Sequence, residues 1–179
     1  MRFVMSSDGQ HVLEAVQQDK KIVRANAGKI MRLFARDLKQ LGYSRKGTFF
    51  SRETGAIAQF LHVHKFSFGP CYRIHACVRI LNDSRPFLGL IGIASDDYDE
   101  FRSTIDFDES PESIEHCRHI MARFVCEVAE PWFKQQTAEA LIETSSILLP
   151  GDRAALKLAL SGDVDDQNVQ RSKSLLGLS

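Results

Sequence analysis

The chain has 179 residues, 44% hydrophobic and 26% charged, and its 23 basic and 23 acidic side chains cancel to a formal net charge of zero. That is enough chain for one domain with its own core and no disulfide staples. Residues 87–94, the longest near-continuous apolar run, contain Gly89 and Gly92 and are far too short to cross a bilayer. The first ten residues carry no apolar leader core, so the expected setting is cytoplasmic, with no membrane partner.

The four cysteines, Cys71, Cys77, Cys117 and Cys126, match neither a zinc ribbon nor a compact disulfide framework. They read as reduced, mostly packed thiols, and no cofactor is expected. The zero net charge hides a division. Residues 1–80 hold 14 Lys/Arg against 5 Asp/Glu, and residues 81–179 hold 9 against 18, giving +9 and −9. Such asymmetry points either to a charged partner or to internal neutralisation, with a basic first helix packed near the acidic second half.

Residues 10–41 have helical periodicity. Val23, Ala27, Ile30, Phe34, Leu38 and Leu41 make one stripe, while Lys29, Arg32, Arg36 and Lys39 lie mostly off it. The part before Asp19 reads as a separable shorter helix. Gly42 suits the position just past a helix end, where positive φ is needed, and Tyr43 falls where a hydrophobic capping contact belongs.

Three strands follow, at 48–52, 56–66 and 72–80. The second is apolar on both faces for much of its length. The third alternates, with Tyr72, Ile74, Ala76, Val78 and Ile80 opposite Arg73, His75, Cys77 and Arg79. Glycine-bearing turns make the three a meander, with further strands expected at 87–94 and 104–107. Ser110 and Pro111 open a second helix whose stripe is Ile114, Cys117, Met121, Phe124, Val125 and Val128. Pro131 kinks or restarts that helix, which runs on to about 145. A last short helix, capped by Asp152, carries Ala155, Leu156, Leu158 and Leu160. The expected fold is α+β, a single antiparallel sheet of four or five strands against an N-terminal helix and a long C-terminal helical segment. Residues 1–161 form one domain, and 162–179 are expected as a polar, partly disordered tail.

The order of these signals carries a resemblance. A helix closes on Leu38-x-x-Leu41-Gly42-Tyr43, the run S-R-K-G-T-F-F-S-R-E-T-G follows, and an apolar strand ends in His62-Val63-His64-Lys65. Further on comes the Pro131-Trp132-Phe133 step. Over residues 30–149 this resembles the bacterial domain-of-unknown-function 4304 family. Tyr43 stands where that family usually has Phe, and His64 where it usually has Gln. The resemblance carries over no catalytic residue. It implies one functional option, since some members look like immunity proteins of interbacterial toxins.

Two constellations carry candidate function. If Phe68-Gly69 is a two-residue turn, the numbers of facing residues sum to 137, so His62 faces His75 and His64 faces Arg73. Three imidazoles, His62, His64 and His75, on one sheet face suit a metal ion such as zinc. Arg73 and Arg79 on the same face suit an anion or phosphate, and their charge counts against a cation. The second constellation is acidic: residues 96–112 hold eight carboxylates against Arg102 alone. A solvated loop entering a helix N-terminus accounts for part of that. The sharper reading is a surface for a basic protein partner, with Asp96, Asp97, Asp99 and Glu100 as charges and Tyr98 and Phe101 as aromatic anchors. His116 and His119, flanking Cys117, read as structural. The basic first helix alone is weak support for nucleic acid.

The leading expectation is a non-enzymatic binding protein, concretely an immunity protein that neutralises a cognate toxin through the acidic surface. The alternative is a small-molecule or metal-dependent enzyme working from the His/Arg sheet face. A third class is a self-associating module, seen as a homodimer.

Overall fold

A computed structural model describes residues 7–67 and 69–179; the leader reading of the N-terminus lies partly outside these residues, as does position 68 of the expected hairpin turn. The fold is α+β. Helix α1 (Ser7–Gln40) is continuous, without the break expected before Asp19. It buries Ile30, Phe34 and Leu38, while Leu41 is left 38% exposed. The helix ends as its sequence demands. Gly42 takes φ 82°, its N–H donates to Lys39 O, and the Tyr43 N–H reaches back to Leu38 O at 3.1 Å. This double bond pattern satisfies the last helical carbonyls and turns Tyr43 into the core.

Among the described residues one antiparallel meander follows: β1 (Ser44–Lys46), β2 (Phe49–Thr54), β3 (Ile57–Lys65), β4 (Tyr72–Ile80) and β5 (Gly92–Ala94), in that spatial order. The fully exposed β1 was not anticipated, because nothing in its three polar residues alternates. The run 87–94 yields only the short β5. There Gly92 pairs with Cys77 so closely that a Cβ would collide with the Ala76 carbonyl, so only glycine fits. No strand forms at 104–107; one bridge, Cys71 to Asp106, and the stacking of Phe107 on Tyr72 at 5.4 Å join it to the sheet.

One face of the sheet meets α1 and α2 (Pro111–Phe124). Phe50, Leu61, Ile74 and Val78 pack there with Phe34, Cys117, Met121 and Phe124. Ser110 caps α2 as expected, its hydroxyl accepting the Ser113 N–H at 3.2 Å. After Phe124 the helix widens into one π turn, Val125–Ala129, and continues as α3 (Glu130–Gln135). Pro131 has no N–H for the Glu127 carbonyl and its ring crowds that group, so the helix absorbs the proline by widening rather than breaking. Thr137 caps α4 (Ala138–Ile142). Helix α5 (Pro150–Leu160) starts at Leu149, so Asp152 is not its cap but a buried first-turn residue. Of its expected stripe only Leu156 is fully buried, and Leu158 and Leu160 face solvent. Among the described residues no helix is long and apolar enough to cross a membrane.

The expected disordered tail is a correction. Residues 166–176 form α6 (Asp166–Leu176), capped by the Asp165 carboxylate and ended by Gly177 in the left-handed conformation. Val169, Leu176 and Leu178 cover Ala58, Phe60, Cys77 and Leu81 on the second face of the sheet. Lys173 pairs with Glu53 at 2.8 Å across the contact. The segment reads as polar because only a narrow stripe of it touches the sheet.

Leu176 is completely buried, so Leu176→Ala should cost about 2–4 kcal/mol in urea unfolding. It should also let a thiol reagent reach Cys77 under native conditions. Unchanged stability and labelling would mean that α6 is not docked.

Candidate functional site

The expected register of the β3–β4 hairpin holds: His62 faces His75 and His64 faces Arg73. Phe66 N–H continues the ladder to Cys71 O at 3.1 Å. The three histidines lie on the second sheet face, outside the contact that α6 makes. They form part of a cross-strand row. Phe49 stacks on His62 at 4.7 Å and 22°, and His62 stacks on His75 at 5.9 Å and 21°. His64 lies 6.2 Å from His62 and edge-on to Phe66.

This geometry corrects the metal reading. Near-parallel rings turn their faces to one another, whereas a metal ion needs ring nitrogens converging from the edges. Among the described residues no group of three His, Cys, Asp or Glu is placed to hold one. Burial first, then the His75 and His64 charges, lowers the His62 pKa. Burial first, then Arg73, lowers that of His75, with Asp96 and Asp97 opposing.

The two arginines do not form a joint anion seat. Arg73 donates from Nε to Asp96 at 2.6 Å, pairs with the same oxygen through Nη2, and lies over the Phe66 ring at 5.0 Å. Arg79 sits at the other end of the strand under α6 and is 4% exposed. Its Nε donates to Ser172 Oγ, Nη1 to Phe87 O, and Nη2 to Asp83 O and Arg85 O, while Nη1 also pairs with Asp83 at 3.1 Å. All five guanidinium hydrogens are engaged within the protein. Arg79 is therefore the organiser of the 82–88 loop, not a ligand donor.

The acidic segment is also rearranged. Phe101 is 2% exposed and meets Phe124 edge-on at 5.4 Å, so it is a core anchor and not an interface residue. Tyr98 is half-buried against the same ring at 6.3 Å. Asp96 is taken by Arg73, Glu100 pairs with Arg123, and the Asp97 carboxylate accepts the Ala94 N–H at 2.7 Å. Asp99 stands free but for Arg102 at 3.5 Å, its side chain 97% exposed.

The less committed charge lies further along. Asp106, Asp108 and Glu112 border an open notch of about 320 Å³ with Phe107, Ser113 and His116. Hydrogen bonds from Ser110, then Ser113, hold the Asp108 carboxyl below its usual range, so it stays charged. Among the described residues no cation lies within ion-pair distance of Asp106, Glu109 or Glu112. Sequence reasoning counted these acids but weighted 96–101. The cap at Ser110, which folds 106–113 back on itself, was the signal that they converge.

No protein-family model matches the chain, and no curated protein or solved structure matches it.

The histidine row generates a pH dependence. Two of its imidazoles, His62 and His75, protonate less readily when folded than the ordinary 6.5. The unfolded chain therefore takes up protons first, and stability present above that value is lost as pH falls below it. Half-burial keeps the total to no more than about 1 kcal/mol. The urea midpoint should drop between pH about 7.5 and about 5.5, and His62→Gln with His75→Gln should flatten that slope. An unaltered slope in the double variant would assign the dependence elsewhere.

Proposed function

We propose that this is a cytoplasmic, non-catalytic binding protein that docks a basic protein partner on the carboxylates of residues 97–112. The notch bordered by Asp106, Asp108 and Glu112 supports this reading. It is large enough for a lysine or arginine side chain, and among the described residues no cation pairs with its carboxylates. Asp97, Asp99 and Glu100 extend the negative field toward β5, and a field of one sign steers an oppositely charged partner into encounter.

The concrete form is an immunity protein that covers a toxin's substrate-binding surface. The resemblance to the domain-of-unknown-function 4304 family supports it, through the Leu38–Tyr43 helix end, now seen as a built cap, and the strand that closes on His62 and His64. The enzyme alternative has less behind it, since Arg79 is fully engaged and the imidazoles are stacked.

The test is association with the product of the adjacent gene. Its on-rate should fall with salt, and Asp106→Lys, Glu109→Lys and Glu112→Lys together should slow it by about tenfold or more. Co-expression of the wild-type chain should protect cells from that product, and the triple variant should not. An on-rate indifferent to both salt and charge reversal would sink the proposal.

A further inference from the structure

The loop after β4 and the last two helices surround a cavity of about 560 Å³. Its polar groups can be accounted for one at a time. Asn82 donates to Asp163 O and accepts the Asp165 N–H. Asp165 caps α6. Asp83 is held by Arg85 at 2.8 Å and by Arg79 at 3.1 Å. Arg85, the one cation of the lining, also pairs with Asp152 Oδ1.

Two acceptors are left over. Asp152 is 4% exposed, and its second oxygen, Oδ2, is buried with no hydrogen-bond partner. A carboxylate oxygen in that state carries an uncompensated desolvation cost, and burial raises the Asp152 pKa accordingly. Asp163 stands at the rim, exposed, and among the described residues no cation lies within ion-pair distance of its carboxylate. Ser84 and Asn168 also line it, Asn168 donating from Nδ2 to Asn82 O and accepting from Arg171 at Oδ1, and the remaining wall is apolar. Leu149 and Leu158, which border the cavity, are 56% and 47% exposed.

An occupant that relieves this arrangement brings a cationic donor to Asp152 and an aliphatic stem to the leucines. An anion finds only Arg85, already shared by two carboxylates. We propose that the cavity binds a primary alkylammonium group, with its NH₃⁺ on Asp152 and its methylenes against Leu149 and Leu158. The softness of the terminal carboxylate torsion lets Oδ2 turn to the cavity wall. The same chemistry comes from a free aliphatic diamine, whose second ammonium reaches Asp163, or from a lysine side chain of another protein. The site is independent of the acidic notch.

Calorimetric titration of the full chain at low salt tests this, with 1,4-diaminobutane and with Nα-acetyl-lysine methylamide as separate probes. One-to-one saturable binding is expected for at least one of them. Asp152→Asn, which keeps the shape and removes the charge, should weaken it by about tenfold or more. Ala154→Trp fills the mouth from an exposed position and should abolish it, with thermal unfolding confirming that the variant is folded. Binding of the diamine alone identifies a free amine as the ligand, and binding of the lysine amide alone identifies a protein side chain. If neither probe saturates the wild type, or if both variants bind as the wild type does, the assignment is overturned.

Discussion

Strand β3 is apolar on both faces for much of its length, and that requirement governs the rest of the molecule. Ile57, Leu61 and Val63 on one side, and Ala58 and Phe60 on the other, are all buried within one nine-residue strand. A sheet with two such faces needs two covers. Helices α1 and α2 supply the first. Helix α6 supplies the second, and it is short, so it shields Phe60 and Cys77 and stops before His62 and His75. The residues that change from apolar to imidazole along β3 mark where the cover ends. The uncovered half of the face is wet, and its planar side chains stack across strands to shed what surface they can.

Charge follows a different logic from the one its distribution along the chain suggests. The two halves of the sequence are oppositely charged, yet among the described residues the first helix makes one ion pair, and it is the reverse of neutralising the second half, Asp37 with Arg118. The cations that cross over come from the sheet: Arg52 to Glu130, Arg73 to Asp96 and Arg79 to Asp83. Arg73–Asp96, the most exposed of these pairs, contributes little to stability, on the order of 0–1 kcal/mol. Arg79 differs because it is buried and bonded to three loop carbonyls, so losing it would strand Asp83 and release the loop.

Much of the fold was legible in the sequence where period and punctuation agree. Alternation from Tyr72 to Ile80, the Gly42 stop and the Ser110-Pro111 start are local signals with local causes. The histidine register followed from turn arithmetic alone. Chemistry at those positions was not legible, because ring orientation depends on rotamers set by Phe49 and the neighbouring strands. Phe101 misled for a related reason: an aromatic among acids looks like an interface anchor, and only the packing against Phe124 shows that it points inward. Helix α6 was missed although its evidence was present elsewhere. The two-sided apolarity of β3 demanded a second cover, and the polar tail was the remaining chain able to provide it.

The π turn shows how a local defect can place a distant side chain. A regular helix through 125–135 would bring Pro131 against the Glu127 carbonyl, so a residue is accommodated extra within the turn. That shifts the phase of everything after it by roughly 100° relative to an undisturbed helix. With this phase Glu130 faces the sheet edge, where it accepts the Tyr43 hydroxyl at 2.7 Å and the Arg52 guanidinium at 2.9 Å. Arg52 in turn holds Gln59 and lies 4.5 Å from the centre of the Tyr43 ring. Burial and then Glu130 push the Tyr43 phenol up, so it remains a donor at any ordinary pH. The cap of α1, the middle of β2 and the second half of the long helix are thereby tied at one carboxylate. The Pro131 step is, in physical terms, what turns that carboxylate toward the sheet.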